Sequence, residues 1–550
     1  MHKGEFGPGI PPRRPQCGLP LPEGELAGFC LARRFKKLAA DIRHPGLARV
    51  HYPIKALWFL VMVFILSGTV YQSANADALS VDVLSPALTQ ADFALLRQSL
   101  EEGHPGLYRY SNKDQIDAMF DREQAKLNQP LSRLAFRAVV AETLAAIKCG
   151  HTSLNGDIEM DAAMNSARQL PLRVLIEGQS AQVLFNDTPD DDVIQPGMAI
   201  VSVNGRPIGD LLERFRAVTS GDGDIESGKD HDLTERFARY YWWLIEQPAQ
   251  FTIIAKDDAG KTVVAKLAGV TEAERKSNHD PVNNGLMQGA AMFMAALGAE
   301  RNLTFIEDPQ IAEIRLHHFL GDDYRQWMTN TFAKLNAKGT RALIIDLRGN
   351  GGGIDEYGAM LVSELTDKPF RYFDRIRINT YQPSFAAHLD DQLDAAAIMR
   401  FKQETIADPA GGFLLLPEMN EGLKLQPPAA HPFLGPVFIL TDGGSFSTTA
   451  DVCAILHHLH RATFIGEEAG GGYFGNDSGR MATMTLPNSN VKFRFPFYEY
   501  WNAVGGDNQF RRHGTIPDYP VELRINDLIH GVDAQHALAV KLAEANVAGR

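Results

Sequence analysis

The sequence predicts an α/β domain preceded by an α-helical domain and a small β-rich domain. Apolar residues recur at helical spacing from Leu88 to Ile147, and short apolar runs bounded by turns follow over residues 165–270. Helix and strand patterns then alternate towards the end of the chain, which is typical of an α/β sheet. The predicted domains are residues 77–160 (helical), 165–270 (β-rich) and 285–540 (α/β).

Charge and composition narrow the function classes. The 550 residues are 45% hydrophobic and 22% charged, as in a globular protein, and the formal net charge is −13. Residues 1–76 hold ten Lys and Arg against four Asp and Glu, so the rest of the chain carries −19. Because an acidic surface repels the phosphate backbone of nucleic acids, we predict no nucleic-acid partner.

An export signal is predicted near the N-terminus. Lys55 precedes an apolar run, residues 56–66, and the small residues Ala74 and Ala76 follow at the spacing of a cleavage site. An uncleaved anchor is the alternative, but a membrane span needs roughly 20 apolar residues and this run is shorter. We therefore expect a signal peptide over residues 55–76 and a periplasmic or extracellular protein, which is membrane-anchored if the signal is retained.

The signal lies far from residue 1. Residues 1–54 are an N-terminal extension rich in Pro and Arg, and we expect translation to begin downstream of residue 1. Removal of the leader leaves two cysteines, Cys149 and Cys453. They either pair in an oxidising compartment or remain two separate buried thiols, and the sequence leaves both alternatives open.

Turns and caps define the two smaller domains. In the helical domain, Thr89 and Asp92 have the spacing of a capping box, and Gly150 marks the end of the last helix. In the β-rich domain, a Pro-Gly turn, the apolar strand 199–203, an Asn-Gly turn and a helix follow one another. This order of elements resembles the PDZ domains of secreted proteases. This PDZ-like β domain has no Gly-Leu-Gly-Phe-like loop, so capture of a peptide C-terminus by it is not expected.

The spacing of apolar residues predicts six strands and helices within residues 285–540. The strands are Ile311–Leu320, Ala342–Asp346 and Val437–Leu440, and the helices are Tyr324–Leu335, Tyr357–Leu365 and Thr448–Leu459. The unbroken apolar run Leu343–Ile345 indicates burial on both faces of a sheet. Residues 380–430 show no clear pattern and stay unassigned.

Two loops follow strands of this sheet, where α/β folds place their ligands. The first is Asp346–Gly353, whose glycines expose backbone N–H groups to a phosphate or an oxyanion, although no Walker Lys follows. The second leads into a helix at Ser447, which is either a helix cap or a nucleophile beside free backbone donors. Thr448 and Asp451 by themselves have capping-box spacing, so both roles of Ser447 remain open.

Taken together, these motifs resemble peptidase family S41, which includes the C-terminal processing (tail-specific) proteases and the tricorn core protease. The resemblance covers roughly residues 85–530. It rests on six motifs in the family's order: Gly150-His-Thr, Asp346-Leu-Arg-Gly-Asn-Gly-Gly-Gly, Gly444-Ser-Phe-Ser, Arg461-Ala-Thr-Phe-Ile-Gly-Glu-Glu-Ala-Gly, Leu486-Pro-Asn-Ser and Gly514-Thr-Ile-Pro-Asp.

The resemblance implies a crotonase/ClpP-like α/β fold and a site built around Ser447. Ser447 would be the nucleophile of the reaction. The N–H groups of Thr448 and of one glycine, Gly351 or Gly352, would form the oxyanion hole.

The differences from the family pattern indicate which residue would act as the general base. Processing proteases of the family carry a catalytic Lys at a position near Gly472, but no Lys occurs between Ser447 and Lys492. The tricorn-like branch uses a His, and His151 matches its position with an imidazole suited to general-base work. The other candidates are His457, His458 and His460, which lie too far along the helix of Ser447, and His317, His318 and His513, which lack the match.

The sequence does not decide which residue would orient the base. Tricorn-like members carry a Glu shortly before the Gly-x-x-Pro-Asp motif, where this chain has Arg511. Asp507 and Glu499 are candidates for the third member, and its absence is the remaining alternative. An imidazole without a carboxylate partner still works, more slowly.

We predict an exported serine peptidase that hydrolyses peptides or unfolded proteins, with Ser447 attacking and His151 as general base. One alternative is a catalytically inactive S41-like peptide-binding protein. A weaker alternative is acyl chemistry on a thioester, against which the export signal argues because coenzyme A is cytoplasmic. No cofactor or metal is expected, and the sequence does not determine the oligomeric state.

Overall fold

The computed structural model describes residues 83–548, apart from residues 157, 189–190, 192, 279–300, 307–309, 392–394 and 507. The predicted extension 1–54 and signal peptide 55–76 lie outside the described residues. Every described residue belongs to one compact unit of the chain, Thr69–Arg550. Within the described part, no helix is long and apolar enough to cross a membrane.

Three helices begin the described chain and share their core with a later sheet. They are α1 (Pro86–Gly103), α2 (Lys113–Ala125) and α3 (Arg133–Ala146), accompanied by the antiparallel pair β1 (Val83–Leu84) and β2 (Leu131–Ser132). Phe93, Phe120 and Leu144 belong to the same buried cluster as Phe493 and Phe495 near the end of the chain. The helices therefore form a layer over that sheet.

The predicted capping box at Thr89 and Asp92 is wrong. Helix α1 begins three residues earlier, at Pro86, whose fixed φ suits the first helical position. Thr89 Oγ1 donates to the Pro86 carbonyl oxygen at 3.1 Å. The Asp92 carboxylate instead accepts from the backbone N–H groups of Asn488, at 3.1 Å, and Ser489, at 2.8 Å. This carboxylate ties the helix to a distant turn.

The β-rich region is one antiparallel sheet covered by helices. The strands from here are β3 (Ser153–Leu154), β4 (Leu172–Glu177), β5 (Ser180–Asn186), β6 (Ala199–Val203), β7 (Arg206–Pro207), β8 (Gln250–Lys256) and β9 (Thr262–Ala268). The helices are α4 (Ile158–Ser166), α5 (Ile208–Arg216), α6 (Glu226–Leu244) and α7 (Glu272–Asn278). Strands β4-β5-β6-β8-β9 form the sheet in that order, β7 pairs with β6, and Leu233, Phe237 and Tyr241 of α6 pack on its face.

The rest of the chain builds two further sheets. Their strands, with one short separate pair, are β10 (Arg301–Ile306), β11 (Ile311–Leu316), β12 (Ala342–Asp346), β13 (Phe370–Arg371), β14 (Phe373–Ile378), β15 (Thr405–Ala407), β16 (Phe413–Leu415), β17 (Leu425–Gln426), β18 (Val437–Thr441), β19 (Thr463–Gly466), β20 (Asp477–Thr485), β21 (Lys492–Asn502) and β22 (Tyr519–Pro520). The helices are α8 (Tyr324–Lys338), α9 (Asp355–Ser363), α10 (Ala395–Glu404), α11 (Thr448–His458), α12 (Ile525–Ile529) and α13 (Ala534–Ala548).

The main sheet has the order β10-β11-β12-β18-β19-β22 and is parallel from β11 onwards. Leu343 and Ile345 of β12 pack with residues of α8, α9 and α11, whereas Ala342 and Ile344 pack with α13 on the opposite face. The predicted burial of β12 on both faces is confirmed. The mixed α/β organisation is confirmed with it.

The second sheet is antiparallel, with the order β15-β16-β14-β21-β20, and β3 pairs with β21. The six strands and helices predicted within residues 285–540 are confirmed in type, although the strand predicted to reach Leu320 ends at Leu316. The unassigned residues 380–430 contain α10 and three strands of only two or three residues. Cys149 and Cys453 are free and buried, so the separate-thiol alternative applies in this structure.

Candidate active site

The order of the main sheet brings the two predicted loops together. Strands β12 and β18 are parallel neighbours, so the loops that follow them leave the sheet at the same edge. The carbonyl oxygen of Asn350, in the first loop, accepts from the Phe446 N–H at 3.0 Å. Ser445 Oγ donates to the Leu347 carbonyl oxygen at 2.9 Å. These bonds hold the start of α11 against the first loop.

Ser447 stands at the N-cap position of α11, but its hydroxyl does not cap the helix. Its φ of 57° is rare for a residue with a side chain, and such strain concentrates at functional sites. The predicted capping box of Thr448 and Asp451 is also wrong. Thr448 Oγ1 donates to Gly353 O at 3.0 Å and Asp355 Oδ1 at 2.8 Å, and the Asp451 carboxylate accepts from two buried asparagine side chains. The Ser447 hydroxyl is left for another partner.

That partner is His151, whose Nε2 lies 3.2 Å from Ser447 Oγ although the two residues are 296 positions apart. His151 lies between α3 and β3, and its ring packs on the Phe446 ring with 4.6 Å between centroids. Burial, with a smaller contribution from the positive charge of Arg494, lowers the pKa of His151 to about 3. The imidazole is therefore neutral near pH 7, which is the form that accepts a proton.

The second ring nitrogen, Nδ1 of His151, is buried and has no hydrogen-bond partner among the described residues. Glu499, one of the two candidates for the third member, does not bond this nitrogen, and its carboxylate accepts from Arg377 Nη1 at 2.6 Å. The other candidate, Asp507, lies outside the described residues. Arg511 is exposed. In the described part of the chain, Ser447 and His151 contact each other and no third side chain bonds the imidazole.

Backbone N–H groups surround Ser447. Thr448 is the first residue of α11, so its N–H has no acceptor within the helix. Gly352 packs on Ser447: a Cβ there would lie 2.7 Å from Ser447 Cβ, and its φ of +99° disfavours any side chain. The Gly352 N–H donates to Asn350 Oδ1 at 3.0 Å, whereas the Gly351 N–H has no acceptor among the described residues. Of the two predicted glycines, Gly351 is therefore the available donor.

Two of the competing histidines have other partners. His457 Nδ1 lies 2.9 Å from the Tyr473 hydroxyl, and His513 Nδ1 lies 3.1 Å from Glu468 Oε1. Gly472, near which the sequence resemblance would place a Lys, donates its N–H to a buried carboxylate at 3.2 Å. Among the described residues, His151 is the histidine that contacts the Ser447 hydroxyl.

Comparison with known proteins finds a family match for the segment that contains the site. Residues 310–521, which include both glycine-rich loops and Ser447, match the model of peptidase family S41. The protein is a serine-type peptidase whose segment 310–521 is similar to this family. No curated protein matches the sequence.

The fold of solved structures is similar to this chain beyond the segment that matches the family model. Mature CPAF has a TM-score of 0.56 at 15% identity, over 83% of this chain and 96% of its own. Mature CPAF complexed with lactacystin has a TM-score of 0.56 at 15% identity, and the match covers 84% of this chain and 98% of the CPAF chain. The photosystem II D1 C-terminal processing protease has a TM-score of 0.37 at 14% identity, and the match covers 79% of this chain and 93% of the chain of that protease. The CPAF likeness supports the fold alone, and the PDZ-like identity of the β-rich region stays a prediction.

A buried ion-pair network anchors the first loop of the peptidase. Arg348 is 4% exposed, and its guanidinium contacts both carboxylate oxygens of Asp346 and of Asp533, at 2.8–2.9 Å. Burial alone would raise the pKa of Asp346, but Arg348 outweighs it and the pKa falls to about 2. Since Asp533 lies 185 residues after Arg348, the sequence offered only the Asp-x-Arg spacing as a signal.

A second buried cluster lies beneath the His151 turn. Donor atoms of His104, Cys149 and Asp477 lie within 4.8 Å of one another. His104 Nε2 is 2.8 Å from Thr152 Oγ1, and Asp477 Oδ1 is 3.2 Å from Arg109 Nη2. We assign no metal to this cluster, because protein groups already bind two of its members and the guanidinium opposes a cation at Asp477.

Proposed function

We propose that Ser447 is the nucleophile and His151 the general base of this peptidase, with the N–H groups of Thr448 and Gly351 as oxyanion donors. The observation that carries the proposal is the 3.2 Å contact between Ser447 Oγ and His151 Nε2. It is made by a serine that does not cap its own helix, on a backbone held in a strained conformation.

The chemistry follows from these positions. As Ser447 Oγ attacks the peptide carbonyl carbon, His151 Nε2 takes the hydroxyl proton and the backbone donors stabilise the oxyanion. The imidazolium then gives that proton to the leaving amine, and water hydrolyses the acyl-enzyme with the same imidazole as base. Without a carboxylate at Nδ1 among the described residues, we expect a slower reaction than with a complete triad.

The proposal includes the substrates and the location. Peptides or unfolded protein segments are the substrates, and the enzyme acts after export, which the predicted signal over residues 55–76 supports. The inactive peptide-binding alternative is not favoured, because a protein that no longer catalyses has no need to keep a neutral imidazole against the serine hydroxyl.

Hydrolysis of an unfolded protein and of a peptide library tests the proposal. Ser447→Ala should abolish hydrolysis of both. The matched control is Ser384→Ala, because Ser384 Oγ bonds the Glu102 carboxylate at the surface, away from the site; this variant should keep the wild-type rate. If the folded wild-type protein hydrolyses neither substrate, the peptide-binding alternative replaces this proposal.

A further inference from the structure

The turn that carries His151 is held by a loop of the β-rich region. This loop, residues 219–225, joins α5 to α6 and is named the clamp loop here. Its residue Asp222 accepts the Gly150 N–H on Oδ1 at 2.7 Å, directly before His151. Ser220 Oγ donates to the carbonyl oxygen of Thr152, directly after His151, at 2.6 Å. The clamp loop therefore binds the turn on both sides of the imidazole.

A third contact holds the residue at the end of α3. The Gly223 N–H donates to the Lys148 carbonyl oxygen at 3.0 Å, and Asp224 forms ion pairs with Lys148 and Arg512. Lys148 has a φ of 64°, so Lys148 rather than the predicted Gly150 adopts the left-handed conformation after the helix. A lysine pays a steric penalty in this conformation, and the turn needs bonds from outside to keep it.

Asp222 also reaches the segment beside the nucleophile. Its second oxygen, Oδ2, accepts the Gly472 N–H at 3.2 Å. The neighbouring Gly471 packs on the start of α11, where a Cβ would lie 3.3 Å from Ser447 N and 2.7 Å from Ala450 Cβ. One carboxylate, 2% exposed, thus joins the turn of His151 to the segment packed against Ser447.

The start of α6 continues this contact to the nucleophile loop. Ser227 Oγ donates to the Glu468 carbonyl oxygen at 2.8 Å. Gly443, three residues before Phe446, approaches the Ser227 carbonyl so closely that any side chain at position 443 would overlap it. The β-rich region therefore touches the base and the nucleophile loop through one continuous segment.

We propose that Asp222 is a positioning residue that sets the distance between His151 and Ser447 through the backbone of both. The proposal rests on the proposed function, because it takes His151 as the general base. With no carboxylate on His151 Nδ1 among the described residues, the position of the imidazole depends on the backbone of its turn and on its packing against Phe446. Asp222 is the group that links this turn to the nucleophile side.

Steady-state kinetics of Asp222→Ala test the role. Because a displacement of about 1 Å at the reacting atoms costs about 10²-fold, we expect kcat to fall by about that factor. KM should change by less than about threefold, since Asp222 is buried and both of its carboxylate oxygens accept backbone N–H groups of the protein. Asp222→Asn keeps one acceptor oxygen and the same volume, so it should fold and show an intermediate loss. Glu226→Gln, which removes an exposed carboxylate close to the clamp loop, should keep the wild-type kcat.

A double-mutant cycle separates positioning from a general structural effect. If Asp222 acts through His151, Asp222→Ala should lower the residual kcat of His151→Ala no further, with rates normalised to the folded fraction measured by circular dichroism. The same fractional loss in both backgrounds would overturn the proposal, as would a wild-type kcat in Asp222→Asn and Asp222→Ala. A wild-type kcat in His151→Ala would instead overturn the proposed function, so the two failures are distinguishable.

Discussion

Gly352 packs directly against Ser447, with room for no side chain between them. A Cβ on Gly352 would lie 2.7 Å from Ser447 Cβ and 2.9 Å from Thr448 N, and the φ of Gly352 is +99°. Both the space and the backbone conformation therefore require glycine at this position. The contact sets the distance between the first loop and the nucleophile.

Gly352→Ala should accordingly lower kcat by about 10²-fold or more, because the clash moves either Ser447 or the oxyanion donors. The free energy of unfolding should fall by more than about 1 kcal/mol, since alanine is strained at a positive φ. Gly209→Ala is the matched control: a Cβ there meets no atom within 4 Å, and its φ lies outside the left-handed region. Peptide hydrolysis and urea denaturation measure both effects, and an unchanged kcat in Gly352→Ala would contradict the role of this contact.

His151→Ala should lower kcat on the order of 10³-fold or more, because the nucleophile loses its base. His513→Ala should have little effect, since His513 bonds Glu468 and not the serine. Hydrolysis of one fluorogenic peptide by the two variants provides the comparison. Equal losses in both would show that the 3.2 Å contact does not carry the reaction.

The pH dependence of kcat/KM should reflect the environment of His151. Since burial lowers the pKa of His151 to about 3, the imidazole stays neutral, and able to accept a proton, well below the ordinary value near 6.5. Activity should therefore be lost only at acidic pH far below 6.5. Burial also raises the pKa of Asp222 to about 6. A profile of kcat/KM against pH that loses half its value near 6.5 in the wild type and in Asp222→Asn alike would therefore contradict this environment of His151.

Arg494→Gln should move the same profile. The positive charge of Arg494 lowers the pKa of His151, so its removal raises that pKa and shifts the acid limb to higher pH. Arg480→Gln is the control, because Arg480 lies over the Phe401 ring. A shift of the acid limb to lower pH in Arg494→Gln would have the wrong sign for this account.

The network around Arg348 should matter for stability. Arg348→Ala removes the buried cation shared by Asp346 and Asp533 and leaves Asp346 with Arg315 alone, so the free energy of unfolding should fall by about 3 kcal/mol. Arg325→Ala removes an exposed pair with Glu356 and should change it by less than about 1 kcal/mol. Urea denaturation of both variants distinguishes a buried network from a surface pair, and equal effects would refute the assignment.

Local patterns in the sequence predict most of the main sheet. The run Leu343–Ile345 indicates a strand buried on both faces, and the structure confirms it. The two loops could be paired in advance because the carboxyl ends of parallel strands meet at one edge. Residues 380–430 could not be assigned because strands of two or three residues are too short to show a period.

Contacts between residues that are far apart in the sequence explain the features that the sequence does not predict. Thr448 and Asp451 have the spacing of a capping box, but tertiary partners bind both side chains instead. Asp222 lies 72 positions from Gly150, and Asp533 lies 185 positions from Arg348, so no local pattern connects either pair. The sequence predicts which residues would perform the chemistry of the site. The contacts that hold these residues in place are seen only in the folded structure.

Mapping the adduct of a fluorophosphonate probe tests the central claim most directly, because the probe reacts with an activated serine. Digestion and mass spectrometry should place the adduct on Ser447 in the wild-type protein, with labelling strongly reduced in His151→Ala. An adduct on another serine, or no adduct on the folded wild-type protein, would contradict the assignment of Ser447 and His151 as the reacting pair.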